Sequence, residues 1–451
     1  MTPPRHVQTP VRRRLRMALS CVAASTLLLS GTGVAVAAPA GSSGADLSSL
    51  ENSDAASSGD VQRQEALGKL AQTVDTDFYL PPATLPAGNG TPVRSEPADF
   101  FLDPIKLIRP NATATRIMYK STDVHNQPMA VTGTVLVPQK AWSGTGPRPV
   151  IGYAVGTQGV ADKCAPSRQM GVGQEYEGPV MSALLDAGYA LSITDYEGLG
   201  TPGKHTYMGR VSQGHAVIDS VRAAQQLGVE GIDAKNPVAF VGYSQGGGAS
   251  ASAAELAADY APSLNLKGAY AGAVPADLVD VAKNLDRGLY TTFLMYAASG
   301  LGATDAALDP SAYLNAQGMK ELEGAEGDCT LQALGKHAFL NTADLTKSGE
   351  PLESVLGEGK LKAVVDDQKI GNGRKPSVPV LLSHSLLDDV IPYKTGRNLA
   401  KRWCDQGTNV SWDATAGPTH IGGYVAALPA TMFFLKQRFA GKSQLSSCWR
   451  I

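Results

Sequence analysis

Short apolar segments alternate with helix-forming segments along most of the chain beyond residue 115. Several of the apolar segments, such as 237–241, are hydrophobic at every position, which is typical of strands covered on both faces. Alternation of such strands with helices predicts an α/β fold with a mainly parallel central sheet. The predicted strands are 115–120, 130–137, 149–154, 189–194, 238–242, 267–271, 378–383 and 409–413. The predicted helices are 179–187, 213–227, 247–260, 393–403 and 422–439.

Residues 275–375 interrupt this alternation. The segment has a mostly helical pattern, contains an apolar cluster at 289–296, and then becomes polar and rich in glycine. Because it lies between two predicted strands, we expect it to form a cap over the carboxyl edge of the sheet. A second helical domain with an unrelated role is the alternative.

The N-terminal residues have the pattern of a secretory signal peptide. Five arginines precede an apolar stretch from Met17 to Leu29, and a run of small residues follows. This order predicts a signal peptide at 1–37, cleaved after Ala37, and leaves Sec or twin-arginine export open. The apolar stretch is shorter than the ~20 residues of a membrane span, which argues against a membrane anchor. Residues 38–74 are rich in Ser, Ala and Gly and predict a flexible leader, so the folded domain is expected at 75–451.

Charge and cysteine content narrow the functional class. With 39 basic and 41 acidic residues the net charge is −2, and removing 1–37 takes away five arginines and no acids, leaving −7. We therefore expect no nucleic-acid partner, and we find no later apolar run that would span a membrane. No metal-ligand spacing or phosphate loop is present, so no metal or cofactor is expected. Four cysteines remain after cleavage and predict either two disulfides, in one of three pairings, or free thiols: Cys164, Cys329, Cys404 and Cys448.

Residues 242–246 read Gly-Tyr-Ser-Gln-Gly, a G-x-S-x-G motif between a predicted strand and a predicted helix. This setting is typical of a nucleophile elbow, with Ser244 at its tip. Glycines are needed there because strand and helix pass close to each other, and the helix N-terminus favours developing negative charge. The alternative is an ordinary glycine-rich turn.

A serine hydroxyl becomes a good nucleophile only when a base takes its proton. In a fold with such an elbow, the acid and the histidine follow the serine in the chain. Of the three later histidines, His337 lies in the predicted cap and His384 precedes any suitable acid. His420 lies in a glycine-flanked loop after the last strand and is the predicted base. The acid is Asp388 or Asp389, and spacing alone does not choose between them.

Two backbone amides are predicted to form an oxyanion hole. One belongs to Gln245, the residue after the nucleophile, and the other to Thr157 in the loop 155–159 after an earlier strand. A plain glycine-rich connection is the alternative interpretation of that loop. Asp195 and Glu197, after another strand, are expected to brace the loop rather than to act as an acid/base pair.

Three segments together resemble the secretory lipase family. They are the elbow, the Cys-Ala-Pro-Ser run at 164–167, and the Asp-Tyr-Glu-Gly-Leu-Gly-Thr-Pro run at 195–202. The resemblance extends from about Asp77 to the C-terminus, and several separate motifs in one order make it specific.

The resemblance implies an α/β-hydrolase fold with a helical cap, and hydrolysis of carboxylic esters, often triacylglycerols. It implies Ser244 as nucleophile, His420 as base and Asp388 as acid, because Asp388 occupies the aspartate position of a G-x-x-D-x-x-V-P pattern. Ser385 stands where that pattern has glycine. The disulfides that the resemblance implies are Cys164–Cys329 and Cys404–Cys448.

We therefore expect a secreted serine ester hydrolase, a lipase or esterase that acts on a small-molecule or lipid ester and transiently contacts a lipid interface. Apolar residues of the cap are expected to bind the acyl chain. They are Leu289, Tyr290, Phe293 and Leu294. Two alternatives remain: an acyltransferase with the same triad, and a non-catalytic lipid- or polymer-binding protein on a hydrolase scaffold.

Overall fold

A mixed sheet of nine strands forms the centre of the described chain. The computed structural model describes residues 76–451, and the predicted signal peptide and leader lie outside them. The strand order is β1-β2-β3-β5-β4-β6-β7-β8-β9. The strands are β1 Pro92–Ala98, β2 Ala112–Thr122, β3 Pro128–Pro138, β4 Val150–Ala154, β5 Ala190–Thr194, β6 Val238–Tyr243, β7 Leu266–Gly272, β8 Val380–Leu387 and β9 Val410–Pro418.

The pairing confirms the predicted α/β fold with a mainly parallel sheet. Strands β5, β4, β6, β7, β8 and β9 pair in parallel, while β1, β2 and β3 add an antiparallel edge. Every residue of β4, β5 and β6 is buried, which explains their continuous apolar sequences. All eight predicted strands are present. The additional strand, β1, is polar and contains two prolines, as an edge strand tolerates, so it carries no apolar signal.

Helices cover the sheet and fill the connection between β7 and β8. The five helices predicted outside the cap are present, with ends shifted by a few residues. The helices are α1 Thr76–Tyr79, α2 Pro166–Gly171, α3 Gly178–Asp186, α4 Arg210–Ala224, α5 Gln245–Tyr260, α6 Leu278–Leu285, α7 Thr292–Thr304, α8 Pro310–Tyr313, α9 Ala316–Glu326, α10 Thr330–Lys336, α11 Leu352–Leu356, α12 Gly359–Gln368, α13 Tyr393–Asp405 and α14 Thr419–Phe439. Among the described residues, none of these helices is both long and apolar enough to cross a membrane.

The cap, residues 275–375, contains helices α6–α12 and has an apolar cluster of its own. Leu294, Met295 and Tyr296 are buried in that cluster, so much of the apolar run seen in the sequence serves as its core. Val390 and Ile391, which follow β8, belong to the same cluster. This second cluster therefore also joins the segment 275–375 to the chain that follows β8.

Two disulfides join distant parts of the chain. Cys164 pairs with Cys329 of the cap, and Cys404 at the end of α13 pairs with Cys448 near the C-terminus. These are the pairings that the family resemblance implies.

Replacing Cys404 and Cys448 together by alanine should lower the free energy of unfolding by about 2–4 kcal/mol, because the bond restricts the unfolded chain. The sequence separation is 44 for this bond and 165 for Cys164–Cys329, so loss of the latter should cost about 1 kcal/mol more through loop entropy. Urea unfolding without reductant, followed by tryptophan fluorescence, measures both values. Unchanged stability of both double variants would contradict this expectation.

Candidate active site

Ser244 lies at a strained turn between β6 and α5. Its backbone has φ 60° and ψ −123°, a conformation that costs a non-glycine residue roughly 1–3 kcal/mol. The flanking glycines are required by close packing. A Cβ on Gly242 would lie 2.1 Å from the Gly246 carbonyl oxygen, and one on Gly246 would lie 2.0 Å from that of Ala154. The G-x-S-x-G motif thus encodes a turn that only glycine at both flanking positions allows.

Gln245 is the first residue of α5, so its amide has no acceptor within the helix. Its side-chain Nε2 lies 3.0 Å from Nε2 of His205, whose Nδ1 lies 2.8 Å from the carbonyl oxygen of Glu197. The carbonyl requires the proton on Nδ1, so Nε2 of His205 accepts from the Gln245 amide group. Burial lowers the pKa of His205 to about 4, which keeps this contact neutral. The side chain of Gln245 is thereby held, while its backbone amide donates to no acceptor within residues 76–451.

His420 and Asp388 form a buried hydrogen-bonded pair. Nδ1 of His420 lies 2.9 Å from Oδ1 and 2.8 Å from Oδ2 of Asp388. Oδ1 also accepts from the amides of Val390 and Ile391, at 3.0 and 2.8 Å. Burial alone would raise the pKa of Asp388, but the charge and hydrogen bond of His420 outweigh it and hold that pKa below its ordinary value. Nε2 of His420 is buried and has no hydrogen-bond partner among residues 76–451.

Asp389 contacts the same histidine through the backbone. Its Oδ1 accepts from the amide of His420 at 2.8 Å. Sequence spacing left the choice between the two aspartates open, and in the structure they have different partners: Asp388 the imidazole, Asp389 the main chain.

His420 packs against the elbow. The rings of Tyr243 and His420 lie 5.0 Å apart, and the Tyr243 hydroxyl donates to the His420 carbonyl oxygen at 2.8 Å. Tyr243 directly precedes Ser244, so the imidazole is held beside the turn. Within the described residues no hydrogen bond joins the Ser244 hydroxyl to His420, and such contacts commonly tighten only when substrate is bound.

The other two late histidines have different main partners, although Nε2 of His384 also lies 3.6 Å from Oδ2 of Asp388. His384 is buried within β8; its Nε2 donates to the Ile391 carbonyl oxygen at 2.9 Å, and burial lowers its pKa. Nδ1 of His337 lies 2.7 Å from a carboxylate oxygen of Glu321 in the cap. These contacts are compatible with the sequence argument that set both aside.

The loop 155–159 is fixed at nearly every position. The Gly156 amide donates to Oε1 of Glu177 at 2.9 Å, and the Thr157 hydroxyl lies 2.8 Å from that of Tyr207. The Thr330 hydroxyl of the cap donates to the Thr157 carbonyl oxygen at 2.9 Å. In the part of the chain that the structure describes, the Thr157 amide donates to no acceptor. The loop therefore presents one free amide from a rigid support.

The cap holds this loop from one side. The Thr330 amide donates to the Gln158 carbonyl oxygen at 2.9 Å, and Gly159 pairs with Cys329 in an isolated antiparallel bridge. Since Cys329 is also bonded to Cys164, one segment of the cap is tied both to the loop and to the chain that follows it.

Asp195 and Tyr196 brace the same region. The buried Asp195 carboxylate accepts from the amide of Ser167 at 2.8 Å and from the hydroxyl of Thr132 at 2.7 Å. The Tyr196 hydroxyl donates to the carbonyl oxygen of Val155 at 2.8 Å. These contacts agree with a structural role for the segment that begins at Asp195.

An apolar cavity includes Ser244 in its wall and extends into the cap. Phe293 and Leu294 line it, as predicted for the acyl site, whereas Leu289 and Tyr290 do not. Leu289 is 43% exposed, and the Tyr290 ring packs 5.7 Å from that of Phe293. The other cap residues of the lining are Pro275, Leu278, Val281, Ala282, Leu285, Ala297, Ala298, Leu301, Leu308, Tyr313, Leu352 and Leu356.

Sequence reasoning missed several residues that support the site. Tyr243, His205 and Glu177 contact it from separate elements, and none belongs to a role that the motif defines. Among these three, only Tyr243, a variable position of G-x-S-x-G, carried any signal of location.

Known proteins share this architecture. Candida antarctica lipase A in its closed state superposes with a TM-score of 0.73 at 25% identity, covering 83% of this chain and 88% of that chain. A Mycobacterium tuberculosis protein named a probable inactive lipase is 30% identical over 82% of each chain. Lipase A of Moesziomyces aphidis is 27% identical, over 84% of this chain and 83% of that protein. The solved relatives confirm the α/β-hydrolase fold. The secretory lipase family model matches residues 165–447, and the chain belongs to that family.

Proposed function

We propose that this chain is a secreted serine carboxylic ester hydrolase that forms an acyl-enzyme on Ser244. The observation that carries the proposal is the state of His420: Asp388 holds its Nδ1, and its Nε2 is buried beside the elbow without a partner among the described residues. A neutral imidazole so oriented can accept the serine proton.

The catalytic steps follow from these positions. Ser244 attacks the ester carbonyl while Nε2 of His420 takes its proton, and the low pKa of Asp388 keeps a carboxylate available to stabilise the imidazolium. The free amides of Thr157 and Gln245 stabilise the oxyanion. His420 then protonates the leaving alcohol, and water activated by the same base releases the acid.

The cavity supports an acyl ester as substrate. Its lining is almost entirely aliphatic and aromatic, so it favours a hydrocarbon chain next to Ser244 over a polar group. The presence of lipases among the relatives supports acylglycerols as substrates of this chain. The signal-peptide pattern in the sequence and the two disulfides support secretion.

Exposed apolar side chains next to the site support contact with a lipid interface. Leu386 and Leu387 directly precede Asp388 and are 56% and 61% exposed, and Ile421 directly follows His420. Large apolar side chains exposed together commonly mark a surface that meets lipid or protein.

Ser244→Ala should abolish reaction with a fluorophosphonate probe and lower kcat on p-nitrophenyl butyrate by about 10⁴–10⁶-fold, because the nucleophile is lost. Ser250→Ala, in the helix that follows Ser244, is the matched control, since the Ser250 hydroxyl donates to the Tyr270 carbonyl oxygen. The control should still react with the probe. A folded wild-type chain that neither reacts with the probe nor cleaves esters would instead be a non-catalytic binding protein.

Asp388→Asn should lower kcat by about 10⁴-fold, because an amide no longer stabilises the imidazolium or fixes its tautomer. Asp389→Asn should lower kcat by less than about tenfold, because its oxygen can still accept from the His420 amide. Kinetics of both variants with one ester separate the two aspartates. Equal losses would disprove the assignment of Asp388 as the acid.

Ala298→Trp should fill the cavity and remove activity on p-nitrophenyl palmitate while activity on the acetate ester remains. Ala303→Trp is the control, because Ala303 lies on the same helix and is exposed. The ratio of kcat/KM for the long and short esters measures the effect. If wild type cleaves only acetate, the cavity does not bind the acyl chain.

A further inference from the structure

Two buried glutamates flank the oxyanion loop without taking part in the proton transfers of the triad. Glu175 and Glu177, in the turn before α3, are 3% and 2% exposed. Oε1 of Glu177 accepts from the Gly156 amide at 2.9 Å, and Oε1 of Glu175 accepts from the side-chain amide of Gln158 at 2.8 Å. The two carboxyl groups thus hold the residues on either side of Thr157.

The groups that face this pair are phenols and amides. The Tyr153 hydroxyl donates to Oε2 of Glu177 at 2.8 Å and contacts that of Tyr424, while Tyr176 and the hydroxyls of Tyr196 and Tyr207 lie around the same loop. The Gly178 amide donates to the backbone carbonyl oxygen of Glu175 at 3.2 Å. Among the ion pairs of residues 76–451, none includes either glutamate.

Two neighbouring carboxylates in a buried place without a cation do not both ionise at neutral pH. Burial, together with the charge of Glu177, raises the pKa of Glu175 well above its ordinary value. Burial raises the pKa of Glu177 to about 7, against the opposing hydrogen bonds from Tyr153 and the Gly156 amide. Since Glu177 accepts hydrogen bonds on both carboxyl oxygens and Glu175 accepts one on Oε1 alone among the described residues, the charge belongs on Glu177 and the proton on Glu175.

We propose that ionised Glu177, beside a protonated Glu175, is a positioning residue that holds the Gly156–Thr157 peptide so that the Thr157 amide points at the oxyanion. This inference rests on the proposed hydrolase function. When Glu177 takes a proton from solvent, its hydrogen bond to Gly156 weakens, because an ionised acceptor binds an amide about twice as strongly as a neutral one. Stabilisation of the oxyanion in the transition state then falls, while the affinity for the substrate hardly changes.

The pH dependence follows from the direction of this titration. Below the pKa of about 7, Glu177 is neutral and the loop is loosened; above it, the carboxylate is present and the loop is held. Misplacing one oxyanion donor lowers kcat by up to about 10²–10³-fold, so partial loosening should account for about 10–100-fold.

The decisive measurement is the ratio of wild-type kcat to that of Glu177→Gln between about pH 5 and about pH 9. The assay uses p-nitrophenyl butyrate, followed at the isosbestic wavelength of the product. The ratio should be about 10–100 at the alkaline end and approach one at the acid end, because a protonated glutamate and a glutamine are equivalent there. KM should change by less than about twofold.

Three further variants define what the ratio means. Glu175→Gln keeps Glu177, so its ratio to wild type should not vary with pH. Tyr153→Phe removes a donor to Glu177, so the fall in kcat on acidification should begin at a higher pH than in the wild type. This variant tests the proposal even if Glu177→Gln fails to fold. Asp219→Asn is the control: this buried acid, whose pKa burial raises to about 6, is bonded to Ser121 and Tyr260. It should leave the profile of kcat unchanged.

A wild-type to Glu177→Gln ratio that is constant across pH overturns the inference while the hydrolase function stands. If the ratio varies with pH for Glu175→Gln and not for Glu177→Gln, Glu175 is the residue that titrates. That result also overturns the inference. No hydrolysis by the wild-type enzyme overturns both the function and the inference.

Discussion

Gly246 and Gly247 bring the first turn of α5 against the backbone of two neighbouring strands. A Cβ on Gly246 would lie 2.0 Å from the Ala154 carbonyl oxygen at the end of β4, and one on Gly247 would lie 2.1 Å from that of Gly272 at the end of β7. This approach forces Ser244 into its positive-φ conformation and fixes the helix N-terminus beside it. Because Ala154 also leads directly into the loop 155–159, one packing contact sets the serine, the Gln245 amide and the loop together.

The cap adds to the site from the opposite side. Cys329 and Thr330 bond to the loop that carries Thr157, while other cap residues line the apolar cavity at Ser244. The acyl-chain cavity and the support of the oxyanion amide are therefore built on one inserted segment. A change in the cap would alter both together. The Asp388–His420 pair lies after β8 and at the start of α14, and it also meets the cap, because Val390 and Ile391 donate to Asp388 and belong to the cap's apolar cluster.

The sequence predicted those parts of the site that local pattern encodes. Continuous apolar runs located the strands, and the chain order of the elbow and the late histidines selected His420 over His384. The polar edge strand β1 was missed because it buries too little surface to impose an apolar pattern. Tyr243 and Glu177 were missed for another reason. Their roles come from contacts between residues far apart in the chain, 177 positions for Tyr243 and His420, and no spacing records such contacts.

The two buried carboxylates near the serine show why partners matter more than burial. Burial raises the pKa of Asp388 and of Glu177 alike, yet the final directions are opposite. Asp388 faces the imidazole of His420, whose charge and hydrogen bond favour the ionised carboxylate. Glu177 faces neutral phenols and amides, so burial prevails and its ionisation falls near neutral pH. The same chemical group can thus serve as a permanent charge in one place and as a titrating support in the other, and the neighbours decide which.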